Sequence, residues 1–418
     1  DVNRYGLEPG GRLAGRLGVP GDKSISHRVL LLAALADGVS TIRGLSDGDD
    51  VAHTRAVVEA LGAAIDGSVA DGLEVHGGRL QAVEGSLDVG NSGTGIRLLA
   101  GMLAGMPFVS VLDGDLSIRG RPMDRVIEPL RAMGAMVDGS EGGDGAPLTI
   151  RGGCLHGIEY RPPMASAQVK GCVLFAGLSA DGPTTVVEPA PTRAHTEELM
   201  VATGIDVEVT AGRVTVYPGR PDPFDHRVAG DPSQAAFWAV GAAILPGSEV
   251  VVEGVYAGPS RTGFVDVLAR MGVRIHHDSA TGDLTVRSAD LVGTVVDSSE
   301  VPGLVDEVPV LAVAAAYAEG RTRFVGVAEL RVKETDRLST VCSELGAMGV
   351  TVWVDGDDLV VEGGRPRGGN VDSHGDHRIA MACAVAALAA DGPTTVSGWE
   401  AVSTSYPGFG ADLAALRS

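Results

Sequence analysis

The chain has 418 residues, 44% hydrophobic and 21% charged, the composition of a folded protein with room for two or three domains and not of a disordered one. A formal net charge of −21 sets it against nucleic-acid phosphates and anionic membrane surfaces, so a small anionic ligand would need a local basic pocket working against the global field. No apolar run approaches the roughly 20 residues that span a bilayer, and no signal peptide pattern is present. The sequence does not begin with Met, which fits a trimmed amino terminus.

Four widely spaced cysteines, Cys154, Cys172, Cys342 and Cys383, form no C-x-x-C pair. They read as small buried hydrophobes in a reducing, cytoplasmic compartment. His374 and His377 lie three apart with no further ligand in view, so no metal site is expected. Only Lys23, Lys170 and Lys333 are lysines; the other basic residues, histidine aside, are arginine. G+C-rich codon bias explains the drift to Arg. The surviving lysines draw attention because a compact ammonium can take part in proton-linked chemistry and a guanidinium cannot.

In chain order, one unit recurs every 65–75 residues or so. Each has a polar loop, an apolar helix of small residues, usually a Gly turn, and a β-branched strand. The loops and predicted helices are Gly21-Asp22-Lys23-Ser24 with 29–36, Gly90-Asn91-Ser92-Gly93-Thr94-Gly95 with 96–104, Ser166-Ala167-Gln168 with 171–178, Asp231-Pro232-Ser233-Gln234 with 235–245, Asp306-Glu307 with 310–318, and Asp376-His377-Arg378 with 379–389. Strands are predicted at 39–42, 108–112, 184–187, 250–252, 322–325 and 394–396. After most units an amphipathic helix ends at a Gly (Gly62, Gly134, Gly272, Gly349) and another strand follows. This gives a β-α-β-α-β-β module six times over. Helices apolar all round belong in a domain interior. Ser24, Asn91, Ser166, Asp231, Asp306 and Asp376 are predicted as their N-caps. If the helices pack in parallel within domains, their positive ends gather on one face, and Lys23, Arg28, Arg97, Lys170 and Arg378 add cations there. That pattern points to a polyanionic ligand.

Each motif alone has a plainer reading. Gly21-Asp22-Lys23-Ser24 lacks the P-loop spacing, and the glycine turn at Gly90 lacks the dinucleotide fingerprint. Arg119, Arg121 and Arg125 read as a surface loop, and Asp306-Glu307 reads as helix capping. Arg331-Val332-Lys333-Glu334-Thr335-Asp336-Arg337-Leu338, about two helical turns, reads as a solvated helix face. What weighs against these readings is that the polar clusters recur at equivalent places in a repeat.

Gly21-Asp-Lys-Ser-Ile-Ser-His-Arg, Gly90-Asn-Ser-Gly-Thr-Gly, Arg121-Pro-Met, Ala165-Ser-Ala-Gln, Arg331-Val-Lys-Glu-Thr-Asp-Arg-Leu and Asp376-His-Arg-Ile-Ala-Met occur in this order, and together they resemble the 5-enolpyruvylshikimate-3-phosphate synthase family from about Gly18 to the carboxyl end. The resemblance implies an α/β (α+β) fold: a two-domain inside-out α/β barrel of six βαβαββ-type repeats, three per domain. Residues 1–18 plus 230–418 would form one domain and 19–229 the other, with crossings near 18–20 and 228–230. It also implies transfer of the enolpyruvyl group of phosphoenolpyruvate to the 5-hydroxyl of shikimate 3-phosphate, without metal or organic cofactor, by a monomer whose lobes close on the substrates. By the same resemblance Lys23, Ser24, Arg28, Ser166, Ala167, Gln168, Arg193, Asp306 and Lys333 meet shikimate 3-phosphate. Lys23, Asn91, Gly93, Arg121, Gln168, Arg337 and Arg378 surround phosphoenolpyruvate. Lys23, Asp306 and Glu334 are the proton-transfer candidates, with the division between Glu334 and Asp306 open, and Thr94, Asp376 and His377 stand behind them.

Two departures stand out. Ala167 replaces a serine of many members, removing one phosphate hydroxyl that Arg193 would offset, and Thr404 falls about where some members carry a lysine. Both resemble the branch that includes glyphosate-tolerant enzymes, but tolerant members can carry Ala in the glycine turn. Gly93 here implies glyphosate sensitivity. The same fold serves UDP-N-acetylglucosamine enolpyruvyl transferase, which usually has a loop Cys; residues 112–133 contain none, and Ser24, not Asn, follows Lys23. A non-catalytic anion-binding homologue is the remaining alternative, against which the intact proton-transfer candidates argue.

Overall fold

The computed structural model describes residues 3–140, 143 and 145–417. Its backbone separates into two compact units, Asp1–Pro20 with Ala229–Ser418, and Gly21–Val228. Helices in chain order are α1 (Lys23–Leu35), α2 (Asp49–Ala60), α3 (Gly93–Ala104), α4 (Leu116–Arg119), α5 (Asp124–Ala132), α6 (Ala167–Gly177), α7 (His195–Ala202), α8 (Pro232–Ile244), α9 (Gly263–Arg270), α10 (Val308–Ala316), α11 (Arg337–Ala347), α12 (His377–Leu388) and α13 (Phe409–Leu416).

In the unit Gly21–Val228, α1, α3 and α6 each precede a strand, Val39–Arg43, Val109–Asp113 and Thr184–Val187 respectively. Each strand pairs in parallel with one neighbour and antiparallel with a hairpin. The second repeat is typical: Ser86–Asp88 lies parallel to Val109–Asp113, which pairs antiparallel with Leu148–Arg151, which in turn pairs with Met136–Asp138. The three helices carry almost no polar residues beyond their first turn, so packing against one another and their sheets is the only way to remove their surface from water. The crossing of α3 with α6 is close. A Cβ on Gly101 would lie 2.1 Å from the carbonyl oxygen of Cys172, so only glycine allows it.

In the other unit α8, α10 and α12 pack together and every residue of all three is buried. The strands that follow them are Glu249–Glu253, Arg321–Phe324 and Thr394–Ser397. The amphipathic second helices α2, α5, α9 and α11 end as the sequence indicates, before Gly62, Gly134, Gly272 and Gly349, whose φ values run from 85° to 108°.

Three features depart from a simple sixfold module. The last repeat has no hairpin of its own; its sheet has three strands, and the antiparallel partner of Thr394–Ser397 is Arg4–Leu7 from the other end of the chain. The strand before α1, Ala14–Gly18, pairs in parallel with Glu249–Glu253, which follows α8, while the strand before α8, Asp225–Arg227, pairs with Val39–Arg43, which follows α1. The predicted caps also shift. Asp22, not Ser24, caps α1 by accepting from the Ile25 amide at 2.8 Å, and Ser92, not Asn91, caps α3 by accepting from Gly95 at 2.9 Å. Helix α10 rises straight from a 3₁₀ turn, Val305–Glu307, without a side-chain cap from Asp306. Ser166, Asp231 and Asp376 do cap α6, α8 and α12. Of the cysteines, Cys172 and Cys383 are buried, Cys342 is half-buried, and Cys154 is exposed against expectation; burial pushes the Cys172 thiol up to about 12.

Candidate active site

In the unit Gly21–Val228 the first turns of the three buried helices are tied side chain to side chain. The imidazole of His27 on α1 sits with Nδ1 2.8 Å from Thr54 Oγ1 and Nε2 3.2 Å from Oγ of Ser92, the α3 cap. Gln168 at the start of α6 donates to Thr94 Oγ1 at 3.1 Å and accepts from Arg97 at 2.7 Å. The helix starts therefore share one face, and with them go Lys23, Arg97 and Arg121. Positive helix ends and guanidinium groups on one face give it a potential that favours anions. Lys23 is held by Asp50 of α2 at 2.9 Å. Arg121 is buried, not a surface residue, because Asn91 Oδ1 accepts from it at 2.6 Å while the Asn91 amide donates to Asp115 at 2.8 Å. That use of Asn91 explains why it does not cap α3. Arg119 is the exposed member of that loop, paired with Asp113. A Cβ on Gly93 would come within 2.5 Å of Arg121 Nη1 and 3.1 Å of Arg97 Nη1, so the bare glycine gives these guanidinium groups their place.

Ser24 is the second residue of α1, half-buried beside Lys23. Arg28, one turn further, is buried; it donates to Thr196 Oγ1 of α7 at 2.7 Å, to the Ser24 carbonyl at 2.9 Å and to the Ala167 carbonyl at 3.4 Å. Ala167 is the first residue of α6 and adds no hydroxyl beside that of Ser166. Arg193 stands half-buried in the loop before α7. Lys170 corrects the sequence reading. It does not join the cations at the helix starts, because its ammonium is fully buried between Glu197 at 2.6 Å and Glu188 at 3.0 Å.

In the other unit, 331–338 is not one helix face. A 3₁₀ turn, Ala328–Val332, ends at Lys333, whose backbone is extended, and α11 starts afresh at Arg337 with Asp336 as its cap. The break turns Arg337 inward. Its guanidinium is buried and meets Asp376 at 2.8 Å, Asp306 at 3.4 Å and Glu334 through Nη2. Burial alone would lower its pKa, but the carboxylates of Asp376, Glu334 and Asp306 outweigh that and raise it, so it is permanently charged. Asp306 is ringed by cations: Arg337, Lys333 at 3.7 Å and Arg378 at 4.0 Å. Lys333 also pairs with Glu329 at 2.8 Å. Asp376 is fully buried, accepts from the Arg378 amide and from Thr335 Oγ1, and so fixes both α12 and Arg337. His377 is buried at the first position of α12. Arg331 and Asp336 play structural parts, Arg331 donating to the Gly356 carbonyl and lying 3.5 Å from Asp336. Thr404 ends a half-buried 3₁₀ turn, Trp399–Thr404, packed on α12.

Each unit thus presents a set of buried-helix starts with fixed charges. A family model for EPSP synthase (3-phosphoshikimate 1-carboxyvinyltransferase) matches residues 7–413. The chain belongs to the EPSP synthase family. It is 48% identical to the 3-phosphoshikimate 1-carboxyvinyltransferase of Herpetosiphon aurantiacus, with 97% of each chain covered, and 48% identical to that of Acidithiobacillus ferrooxidans, with 98% of this chain and 97% of the relative covered. The EPSP synthase of Acinetobacter baumannii superposes with a TM-score of 0.88 at 39% identity, covering 99% of this chain and 98% of that one. The enolpyruvyl transferase NikO from Streptomyces tendae, 20% identical with a TM-score of 0.81 and covering 99% and 97%, shares the fold. The architecture is therefore the two-domain enolpyruvyl transferase fold.

Within this member of the EPSP synthase family, several residues that hold the site escaped the sequence reading. His27 joins α1, α2 and α3, and burial, reinforced by Lys23 and Arg28, pushes its pKa well below the usual value, so it is neutral. Asp50, in the first turn of α2, anchors Lys23. Behind Asp306, the Glu307 carboxylate accepts from Ser233 Oγ at the start of α8, and Arg261 binds both Asp231 and Ser233 at 2.8 and 3.0 Å. Arg97 is not among them, since the sequence already places it with the cations at the helix starts. Among the described residues no group of three or more His, Cys, Asp or Glu side chains is arranged to hold a metal ion; His374 pairs with Glu344 at 2.9 Å instead. Nor is any described helix long and apolar enough to cross a membrane.

Proposed function

We infer that this chain transfers the enolpyruvyl group of phosphoenolpyruvate to the 5-hydroxyl of shikimate 3-phosphate and releases inorganic phosphate, a step of aromatic amino-acid biosynthesis. The observation that carries this is membership of the EPSP synthase family over residues 7–413, at 48% identity to relatives bearing that activity's name. Both substrates are small polyanions. The fixed cations on the helix starts supply what a net charge of −21 withholds elsewhere.

The residue roles are proposals that rest on the family resemblance and fit what the chemistry requires. The hydroxyl oxygen of shikimate 3-phosphate attacks the substituted carbon of phosphoenolpyruvate while the methylene carbon takes a proton, giving a tetrahedral adduct. Loss of a methyl proton and expulsion of phosphate regenerate the double bond. An acid/base group must therefore give and retake one proton, and another must accept the hydroxyl proton. Glu334 and Asp306, both against Arg337, and Lys23 against Asp50 are the groups assigned to these transfers. Lys23, Ser24, Arg28, Ser166, Ala167, Gln168, Arg193, Asp306 and Lys333 are assigned to shikimate 3-phosphate. Lys23, Asn91, Gly93, Arg121, Gln168, Arg337 and Arg378 are assigned to phosphoenolpyruvate, with Thr94, Asp376 and His377 behind them. Arg97, bound to Gln168 and the Gly93 carbonyl, joins this set. Lys23 and Arg337 are held by carboxylates, and Arg28 and Arg121 by neutral oxygens, so anionic substrates would meet charges that are already oriented. We further propose a cytoplasmic monomer that needs no cofactor.

A phosphate-release assay tests the reading. Release from phosphoenolpyruvate should depend on shikimate 3-phosphate and not on UDP-N-acetylglucosamine. Release with the UDP-sugar would favour the alternative transferase, and release with neither acceptor would refute the enzymatic reading.

A further inference from the structure

We propose that Lys170 is a positioning residue for shikimate 3-phosphate, acting through Arg193. The inference rests on the assignment of Arg193 above. Lys170 lies one turn inside α6, its amide bonded to the carbonyl of Ser166. Its ammonium does not reach the helix start. It turns to Glu188 and Glu197, at 3.0 and 2.6 Å, with side-chain exposures of 1%, 10% and 6% for Lys170, Glu188 and Glu197.

These two carboxylates bracket the Arg193 loop. Glu188 follows the strand Thr184–Val187 and has its amide fixed by the Gly212 carbonyl. Glu197 is in the first turn of α7. Between them Thr192, next to Arg193, donates its hydroxyl to the same Glu188 oxygen that Lys170 binds. Thr196, next to Glu197, takes the Arg28 bond at 2.7 Å. One buried ammonium thus pins both ends of segment 188–197 to the helix whose cap is Ser166. Two carboxylates this deeply buried require a cation, and with it gone they would repel each other and release the loop. An ammonium suits the place because it is a compact point with three donors, whereas a guanidinium is a wide planar fork. That explains why lysine persists here in a chain in which only three of 33 Lys and Arg residues are lysine.

The test is steady-state kinetics with both substrates varied, on the wild type, Lys170→Met, Glu188→Gln, Arg193→Ala and the double variant Lys170→Met/Arg193→Ala. Lys170→Met is expected to raise KM for shikimate 3-phosphate about tenfold while KM for phosphoenolpyruvate stays within about twofold. In the Arg193→Ala background the same substitution should add less than about twofold, because what it positions is already gone. Equal rises in both KM values, or additive effects in the double variant, would overturn the role of Lys170. An unchanged KM for shikimate 3-phosphate in Arg193→Ala alone would instead overturn the assignment of Arg193 and with it this route of action. Should Lys170→Met fail to fold, Glu188→Gln, which keeps the Lys170–Glu197 pair, reads the same split and the same coupling to Arg193.

Discussion

Lys23 meets Asp50, Lys170 meets Glu188 and Glu197, and Lys333 meets Glu329 and Asp306; all three lysines are tied to carboxylates, and the last two bridge a pair of them. The sequence marked them as unusual by their rarity, but rarity says nothing about direction, and only the fold separates Lys170 from the face that carries the helix starts. Arg337 was legible as a cation and not as a buried one, because the break at Lys333 depends on backbone geometry that residue types do not encode. Removing one partner from such a buried pair costs about 3–5 kcal/mol. His27 makes a pH prediction. Its pKa is lowered in the folded chain, so below the unfolded value of about 6.5 the unfolded chain binds a proton that the folded one does not. The stability contributed by neutral His27 is whole above that value and falls by about 1.4 kcal/mol per pH unit as pH drops beneath it. His27→Gln should flatten the dependence of the urea midpoint on pH between about 6.5 and 5; an unchanged slope would rule this out.

At the scale of elements, the apolar helices were legible because small residues run all round them, and the strands because β-branched residues follow a Gly turn. The predicted N-caps fall within two residues of the actual ones, whereas the predicted helical ranges begin two to six residues late because the first turns carry polar residues. The misses at Ser24 and Asn91 have one cause: capping needs an acceptor at one position, and neighbouring polar residues compete for it. Helix α3 carries a prediction. A methyl at Gly93 displaces the tips of Arg121 and Arg97 and not backbone, so Gly93→Ala should fold normally. It should raise KM for phosphoenolpyruvate about tenfold and weaken glyphosate inhibition. Inhibition equal to that of the wild type would count against the placement of Gly93 beside the phosphoenolpyruvate site.

For the whole molecule, internal repetition made the six sheets legible, but not the exchange of strands among repeats, which depends on long-range pairing with no sequence signature. Arg4–Leu7 pairs with Thr394–Ser397, and Tyr5 stacks on Trp399 with ring centroids 4.1 Å apart. Deleting residues 1–10 should therefore destabilise the unit containing 229–418 by about 2–4 kcal/mol and leave residues 21–228 nearly unaffected. Amide exchange followed by mass spectrometry would show this as faster exchange in the first unit; equal acceleration in both would contradict it. The same pairing bears on synthesis at the ribosome. Residues 21–228 hold all the strands of their own sheets, so that unit is complete soon after Arg227 leaves the exit tunnel. Ala14–Gly18 must wait for Glu249–Glu253, and Arg4–Leu7 must wait for Thr394–Ser397, almost 400 residues later. Between Arg227 and Glu253 the nascent chain carries two unpaired strands after a finished unit, and from Glu253 onward one, so the synthesis of Thr394–Ser397 decides when the other unit can close.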